Sequence, residues 1–208
     1  MTALTHVEQP ALVPELRVRV ATELMATWEG TERHFGHAVA PPFWAFLWPG
    51  SLVLARILID RPELVKGQRV LDFGSGCGLA AIAAARCGAS RVVACDVDPV
   101  AAESQQTNAE LNGVCIETLT RDVVGRPLFD FDVVLAGDVC YERNAARDIS
   151  EWLHELAEAG LTVLLADPGR AYAPTDGLEL LASFTIPTSR ELESEDEMPT
   201  RVWRLTAT

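Results

Sequence analysis

The chain has 208 residues, 49% hydrophobic and 23% charged, with a formal net charge of −13. That length suits one domain with a full core, and the acidity argues against a nucleic-acid backbone as main partner, which calls for a basic footprint. No apolar run reaches membrane-spanning length, the amino terminus lacks a basic region followed by an apolar stretch, and the five cysteines are scattered with no Cys-x-x-Cys pair. A cytoplasmic protein with reduced thiols is therefore expected.

Residues 1–10 read as a loose tail, and Leu12 to Trp28 as an amphipathic helix, because Leu16, Val20, Leu24 and Trp28 recur every four residues. Residues 29–43, with two glycines and two prolines, read as an irregular loop. Ser51 to Asp60 reads as a second helix, stopped by Pro62. These pieces, residues 1–61, are expected to form a helical and lid extension on a core of residues 62–208. Within the extension, Pro41-Pro42-Phe43-Trp44-Ala45-Phe46-Leu47-Trp48-Pro49-Gly50 concentrates four large aromatics beside helix breakers. It reads either as a lid or as a hydrophobic plug between the helices and the core.

From residue 69 onward, strands and helices alternate, which predicts a parallel α/β sheet. The expected order is strand 69–73, helix 79–87, strand 91–96, helix 99–112 closed by Gly113, strand 115–120, strand 131–136, helix 143–159 and strand 161–166. A short helix from Asp176 to Ala182 and two last strands, 184–189 and 200–205, follow, with an acidic loop Glu191 to Glu197 between those strands.

The first strand runs straight into Asp72-Phe73-Gly74-Ser75-Gly76-Cys77-Gly78. Glycines at alternate positions allow positive φ and close approach of a ligand to backbone, and a strand–loop–helix unit puts a nucleoside-type cofactor over the carboxyl end of its strand. The dinucleotide pattern G-x-G-x-x-G needs a sixth-position glycine where this chain has Leu79, and the Gly-Lys-Ser/Thr of a P-loop is absent. Asp96 ends the second strand 18 positions after Gly78, where a carboxylate accepts hydrogen bonds from ribose hydroxyls. After the strand at 131–136 comes Gly137-Asp138-Val139-Cys140-Tyr141, on the same sheet edge. Asp138 reads either as a helix cap or as an acid that anchors and orients an amine. Asp167-Pro168-Gly169-Arg170 reads equally as a plain turn or as a hold on substrate. The pair His34 and His37 lacks the further ligands a metal site needs, so no metal is expected; Cys140 and His154 read as packing and satisfied residues.

Asp72-x-Gly74-x-Gly76-x-Gly78 resembles motif I of class I S-adenosylmethionine (SAM) methyltransferases, and Asp138-x-x-Tyr141 resembles the D-x-x-Y element of family 16 protein-lysine methyltransferases. Taken with Trp48-Pro49-Gly50, Gly88 to Arg91, Asp96 to Pro99 and Asp167 to Arg170, the chain is similar over residues 12–206 to the electron transfer flavoprotein beta subunit lysine methyltransferases. The resemblance implies a Rossmann-like seven-stranded sheet ending in a β-hairpin, SAM as methyl donor and the flavoprotein beta subunit as protein substrate. It also implies cofactor contacts from Trp48, Asp72, Gly74, Ser75, Gly76, Gly78, Asp96 (ribose), Asp122 (adenine amino group) and Gly137. Asp138 and Tyr141 would form the lysine channel. Methylation of a small nicotinamide-like amine or of a ribosomal protein, and a non-catalytic SAM-binding role, stand as alternatives.

Overall fold

The computed structural model describes residues 5–188 and 195–207. Seven strands form one sheet: β3 (Arg69–Phe73), β4 (Arg91–Asp96), β5 (Glu117–Thr120), β6 (Val133–Gly137), β7 (Thr162–Asp167), β8 (Leu178–Pro187) and β9 (Glu197–Leu205). Their order is β5-β4-β3-β6-β7-β9-β8. The first five are parallel, and β9 pairs antiparallel with both β7 and β8. The chain builds outward from β3 to β5 and then returns to β6 on the other side of β3. That reversal opens a crevice at the carboxyl ends of β3, β4 and β6.

Central strands are buried on both faces, so their alternate residues serve two cores. Val70, Val92, Val133, Leu135 and Leu164 face the layer of α2 (Pro49–Asp60) and α3 (Leu79–Arg86). Leu71, Val93, Val134, Val163 and Leu165 face the opposite layer, covered by α5 (Arg143–Glu158) through Ile149, Trp152, Leu153 and Leu156. Those four recur at helical spacing, which is why the segment folds as a helix against the sheet. On the first face α4 (Pro99–Leu111) joins α3; Pro99 fills a first-turn position and the Asp98 carboxylate accepts from the Val100 amide at 2.8 Å.

The amino-terminal segment differs from the sequence expectation. Residues 5–8, inside the expected tail, form β1 (Thr5–Glu8), paired antiparallel with β2 (Val18–Ala21), which lies inside the expected helix 12–28. The four-residue apolar spacing is outweighed by Pro14, which cannot sit in a helix interior, and by the β-branched alternation Val18-Arg19-Val20. The free edge of β2 is held by side chains. Asn108 Oδ1 on α4 accepts from the Arg19 amide at 2.6 Å, and Asn112 Oδ1 accepts from the Arg17 amide at 2.9 Å. The helix starts later, as α1 (Leu24–Phe35), and occupies much of the expected loop; Gly36, at φ 73°, closes it.

The second correction is at the carboxyl end. The expected helix 176–182 and strand 184–189 are largely one strand, β8, because Leu178, Leu180, Ala182, Phe184 and Ile186 pair in sequence along β9 across a bulge between Leu180 and Ala182. Strand periodicity set by β9 overrides a short helix-like run of leucines. Ser189 and most of the expected acidic loop, residues 191–194, lie outside the described residues. The last strand, expected at 200–205, begins three residues earlier at Glu197, the end of the expected acidic loop; from α2 to β7 the observed boundaries fall within one or two residues of those expected.

Candidate active site

The glycine loop leaves β3 with Gly74, Gly76 and Gly78 at φ values of 64°, 51° and 85°. A Cβ on Gly74 would lie 2.9 Å from Val139 Cγ1, and one on Gly78 3.3 Å from the Gln105 Cα. The loop is thus seated tightly on its neighbours. Gly76 meets nothing nearer than the Trp44 Cα at 3.8 Å. Asp72 and Ser75 are both buried beneath this loop. Asp72 Oδ2 accepts from Ser75 Oγ at 2.5 Å and from the Ala81 amide in the first turn of α3 at 3.0 Å. Burial pushes the Asp72 carboxyl up to about 7, against the pull of those two donors. These two residues shape the loop from below.

Asp96 is half-buried at the end of β4. Its Oδ2 accepts from the Gly76 amide at 2.9 Å and its Oδ1 from the Asp98 amide at 3.0 Å. A carboxylate oxygen can accept two hydrogen bonds, so Asp96 is fixed in place with acceptor capacity left for ribose hydroxyls. Asp122 is exposed one turn past β5, its Oδ1 accepting from the Val124 amide at 3.0 Å, while the adjacent Arg121 amide donates to the Asp96 carbonyl at 3.1 Å. The chain segments that carry the two acids are thus neighbours at the ends of β4 and β5. Asp96 and Asp122 offer acceptors to the hydroxyl and amino donors of a nucleoside, while the Asp98 carboxylate caps α4 through the Val100 amide. The residues present fit SAM.

Asp138 is the second centre, and two segments distant in sequence meet on it. Its Oδ2 accepts from the Gly50 amide at the start of α2, its Oδ1 accepts from Arg170 Nη2 at 3.0 Å, and its own amide donates to the Ala166 carbonyl at 2.9 Å. The residue lies at φ 56°, the one positive-φ residue other than glycine among those described; an aspartate tolerates this left-handed region better than most side chains. The turn turns its carboxylate inward, where its side chain is 6% exposed. Burial pushes its pKa up to about 6, with the Gly50 amide and Arg170 opposing the rise. The loop after β7 is a tight turn around Asp167 Oδ1, which accepts from the Gly169 and Arg170 amides at 2.7 and 2.6 Å.

Close approach at Gly50 makes this junction possible. A Cβ there would lie 2.6 Å from the Asp138 amide nitrogen and 2.8 Å from the Ala166 carbonyl oxygen. Gly137 is equally confined, with a Cβ at 3.0 Å from the Gly50 carbonyl carbon and the Ser51 amide. Gly137 is thus a packing position under α2.

The aromatic segment divides its labour. Trp44 and Phe46 are buried against Ala21 and Ala101, as a plug between β2, α4 and the core. Phe43 and Trp48 turn outward. The Phe43 ring packs edge-to-face on Trp48 at 5.6 Å and on Tyr141 at 5.9 Å, and Trp48 Nε1 donates to the Phe43 carbonyl at 2.8 Å. Tyr141 is 57% exposed, so this row of rings forms an open wall beside Asp138. Cys140, behind it, is fully buried and its thiol is pushed up to about 12 by burial, so it is a packing group. His154 rests between the Ser150 and Asp176 carbonyls on the far side of α5.

The structure therefore brings the glycine loop, Asp96 and Asp122 together, and sets Trp48, Asp138 and Tyr141 at the neighbouring end of the same sheet edge. Sequence reasoning missed the contacts of Gly50, Phe43 and Arg170. Each belongs to a motif already visible in the sequence, but their partners, Asp138 and Tyr141, are 32 to 98 positions away along the chain. A cleft of about 550 Å³ at the opposite, amino-terminal edge, lined in part by Leu128, Phe129 and Asp132, contains none of these residues.

A doubly wound sheet with this strand order and this acid-lined glycine crevice defines a class I SAM-dependent methyltransferase. Solved structures agree on the fold. The T. thermophilus 16S rRNA methyltransferase RsmC, in complex with SAM and guanosine, matches 98% of this chain and 50% of its own with a TM-score of 0.59 at 18% identity. The magnesium protoporphyrin IX methyltransferase of Synechocystis, with bound S-adenosylhomocysteine, matches 76% and 82% with a TM-score of 0.53 at 17% identity. Residues 57–140 match the family model of ribosomal protein L11 methyltransferase (PrmA). Across nearly the whole chain the similarity is to electron transfer flavoprotein beta subunit lysine methyltransferases. The Danio rerio protein is 37% identical over 95% of this chain and 78% of its own length, and the Homo sapiens protein 33% identical over 93% and 75%. The chain belongs to that family.

Proposed function

We propose that this methyltransferase modifies lysine side chains of the electron transfer flavoprotein beta subunit. The carrying observation is Asp138, a carboxylate set behind an open aromatic wall at the same sheet edge as the glycine loop. Family membership supports the choice of substrate. The L11-type match ends at residue 140, before Tyr141 and Arg170, so it covers the cofactor half and not the whole amine end.

On this reading Gly74, Gly76 and Gly78 provide the backbone cradle, held from beneath by Asp72 and Ser75, and Gly137 borders the cofactor at the end of β6. Asp96 takes the ribose, Asp122 the adenine amino group, and Trp48 lies against the nucleoside. SAM, when bound, supplies an activated methyl group. The chain's own work is then alignment and exclusion of water. Phe43, Trp48 and Tyr141 wall the lysine stem, and Asp138 receives and aims the terminal nitrogen. A carboxyl group titrating near 6 is a poor base toward an ammonium of pKa about 10. Asp138 is therefore an orienter, and the ammonium proton leaves to solvent before transfer. Residues 1–61 act as a helical and lid extension packed on a core of residues 62–208. The five free thiols suit a reducing compartment such as the cytoplasm; among the described residues no helix is long and apolar enough to cross a membrane.

The test is intact-mass spectrometry of unmethylated flavoprotein incubated with this protein, with and without SAM. Methyl-sized steps on the beta subunit that need both components are the expected result. An unchanged mass, with SAM binding verified by calorimetry, would remove this substrate.

A further inference from the structure

Asp138 is nearly sealed from solvent, yet the reading above has it receive a cationic side chain. Its Oδ2 is committed to the Gly50 amide, and on Oδ1 the Arg170 guanidinium stands at 3.0 Å. The Arg170 side chain is 21% exposed against 6% for Asp138. The guanidinium thus stands between the acid and the outside. A bare buried carboxylate would be costly, so the acid carries a counter-cation until another replaces it.

We propose that Arg170 is a resident cation on Asp138 that the substrate ammonium replaces, and that this exchange selects a charged alkylamine over a neutral amide. This rests on the lysine reading of the site. The backbone supports such a swing. Asp167 Oδ1 clamps the Gly169 and Arg170 amides, and Gly169 lies at φ 95°, so the turn is held while the long side chain moves. Exchange of one cation for another keeps the charge beside Asp138 constant. A neutral amide entering the same slot would leave the carboxylate without its ion pair. Besides Arg170, the charged group beside Asp138 among the described residues is Asp167 at the end of β7, while Asp96 and Glu142 face Tyr141. These three are acidic and favour an arriving ammonium.

Two measurements test the exchange. First, affinity for the beta subunit is measured by calorimetry with S-adenosylhomocysteine present, for the wild type, Arg170→Gln and Arg170→Lys. Removing the competing cation should tighten binding by about threefold or more in Arg170→Gln, while Arg170→Lys stays near the wild type. Weaker binding by Arg170→Gln would make Arg170 a substrate contact or a structural prop, and would overturn the exchange.

Second, melting temperatures of Arg170→Ala and of Arg170→Ala/Asp138→Asn are followed with added n-butylammonium or, as the neutral control, butyramide. The ammonium should raise the melting temperature of the single variant only, and butyramide should raise neither. Equal response of both variants, or none, would overturn the proposal. The melt needs no flavoprotein, so it decides the exchange even if the wild type fails to methylate that substrate, a result that would count against the function alone.

Discussion

Gly50→Ala places a methyl group where the structure has no room for one. The added Cβ would stand 2.6 Å from the Asp138 amide nitrogen, 2.7 Å from Asp138 Oδ2 and 2.8 Å from the Ala166 carbonyl oxygen. Two of those atoms are backbone at the ends of adjacent central strands, so relief must come from α2 backing away. Carbon contacts are comfortable near 3.5 Å, which asks for a displacement approaching 1 Å. That movement stretches the Gly50 amide away from the Asp138 carboxylate. Overpacking costs about 1–3 kcal/mol, and a lost hydrogen bond to a buried charge costs a further 1.5–3 kcal/mol or so. A total near 4 kcal/mol corresponds to a fall of about 8–16 °C in melting temperature for a chain of this size. The control is Gly67→Ala. Gly67 sits at φ 76° with nothing within 4 Å of the added carbon, so its cost is the left-handed backbone alone, about 1–2 kcal/mol. Differential scanning calorimetry of both variants decides. A drop in Gly50→Ala no larger than in Gly67→Ala would refute the close-packed junction around Asp138.

The remaining predictions concern the cofactor crevice and the amino-terminal hairpin. Asp96→Ala should weaken SAM binding by more than about tenfold in isothermal titration calorimetry, the loss of charge-assisted bonds to two hydroxyls; an affinity within twofold of the wild type would remove Asp96 from the ribose. Asp72 titrates near 7 when folded and near 4 when unfolded, so the folded state holds its proton more tightly. The stability this gives is full below about pH 4 and is lost as pH rises through about 7. Asp72→Asn cannot ionise, so its melting temperature should gain on the wild type between pH 4 and 7 and keep that gain above; a difference independent of pH would show that Asp72 is not titrating there. Asn108→Leu removes the acceptor of the Arg19 amide and the donor that reaches the Cys77 carbonyl at 2.9 Å. Amide exchange at Arg19 should accelerate by more than that at Leu135 in the central sheet, and parallel acceleration of both would mean that Asn108 acts only through global stability.

Much of the cofactor half was legible because its signals are local. Asp72 to Gly78 is one strand end and one loop, Asp96 closes the next strand, and short connections force all of them to one sheet edge. The alternation of apolar strands and helices from residue 69 to residue 167 needs no distant partner to be read. The amine half behaves otherwise. Trp48-Pro49-Gly50, Asp138-x-x-Tyr141 and Asp167 to Arg170 are visible as motifs, but nothing in their spacing shows that one carboxylate joins all three.

The chain's own sequence therefore determined the succession of strands and helices, the glycine cradle and the class of cofactor, since backbone conformation and hydrophobic period are properties of neighbouring residues. Tertiary structure decided the rest. It made a strand of Val18–Ala21 by supplying Asn108 and Asn112 as its edge partners, and it drew Leu178 to Ala182 into β8 by offering β9. It also turned Asp138 from an acid at a loop into a buried, ion-paired junction. In each case the deciding hydrogen-bond partner or ion lies far away in sequence, so a group's environment, and with it its charge, burial and chemistry, exists only once the chain has folded.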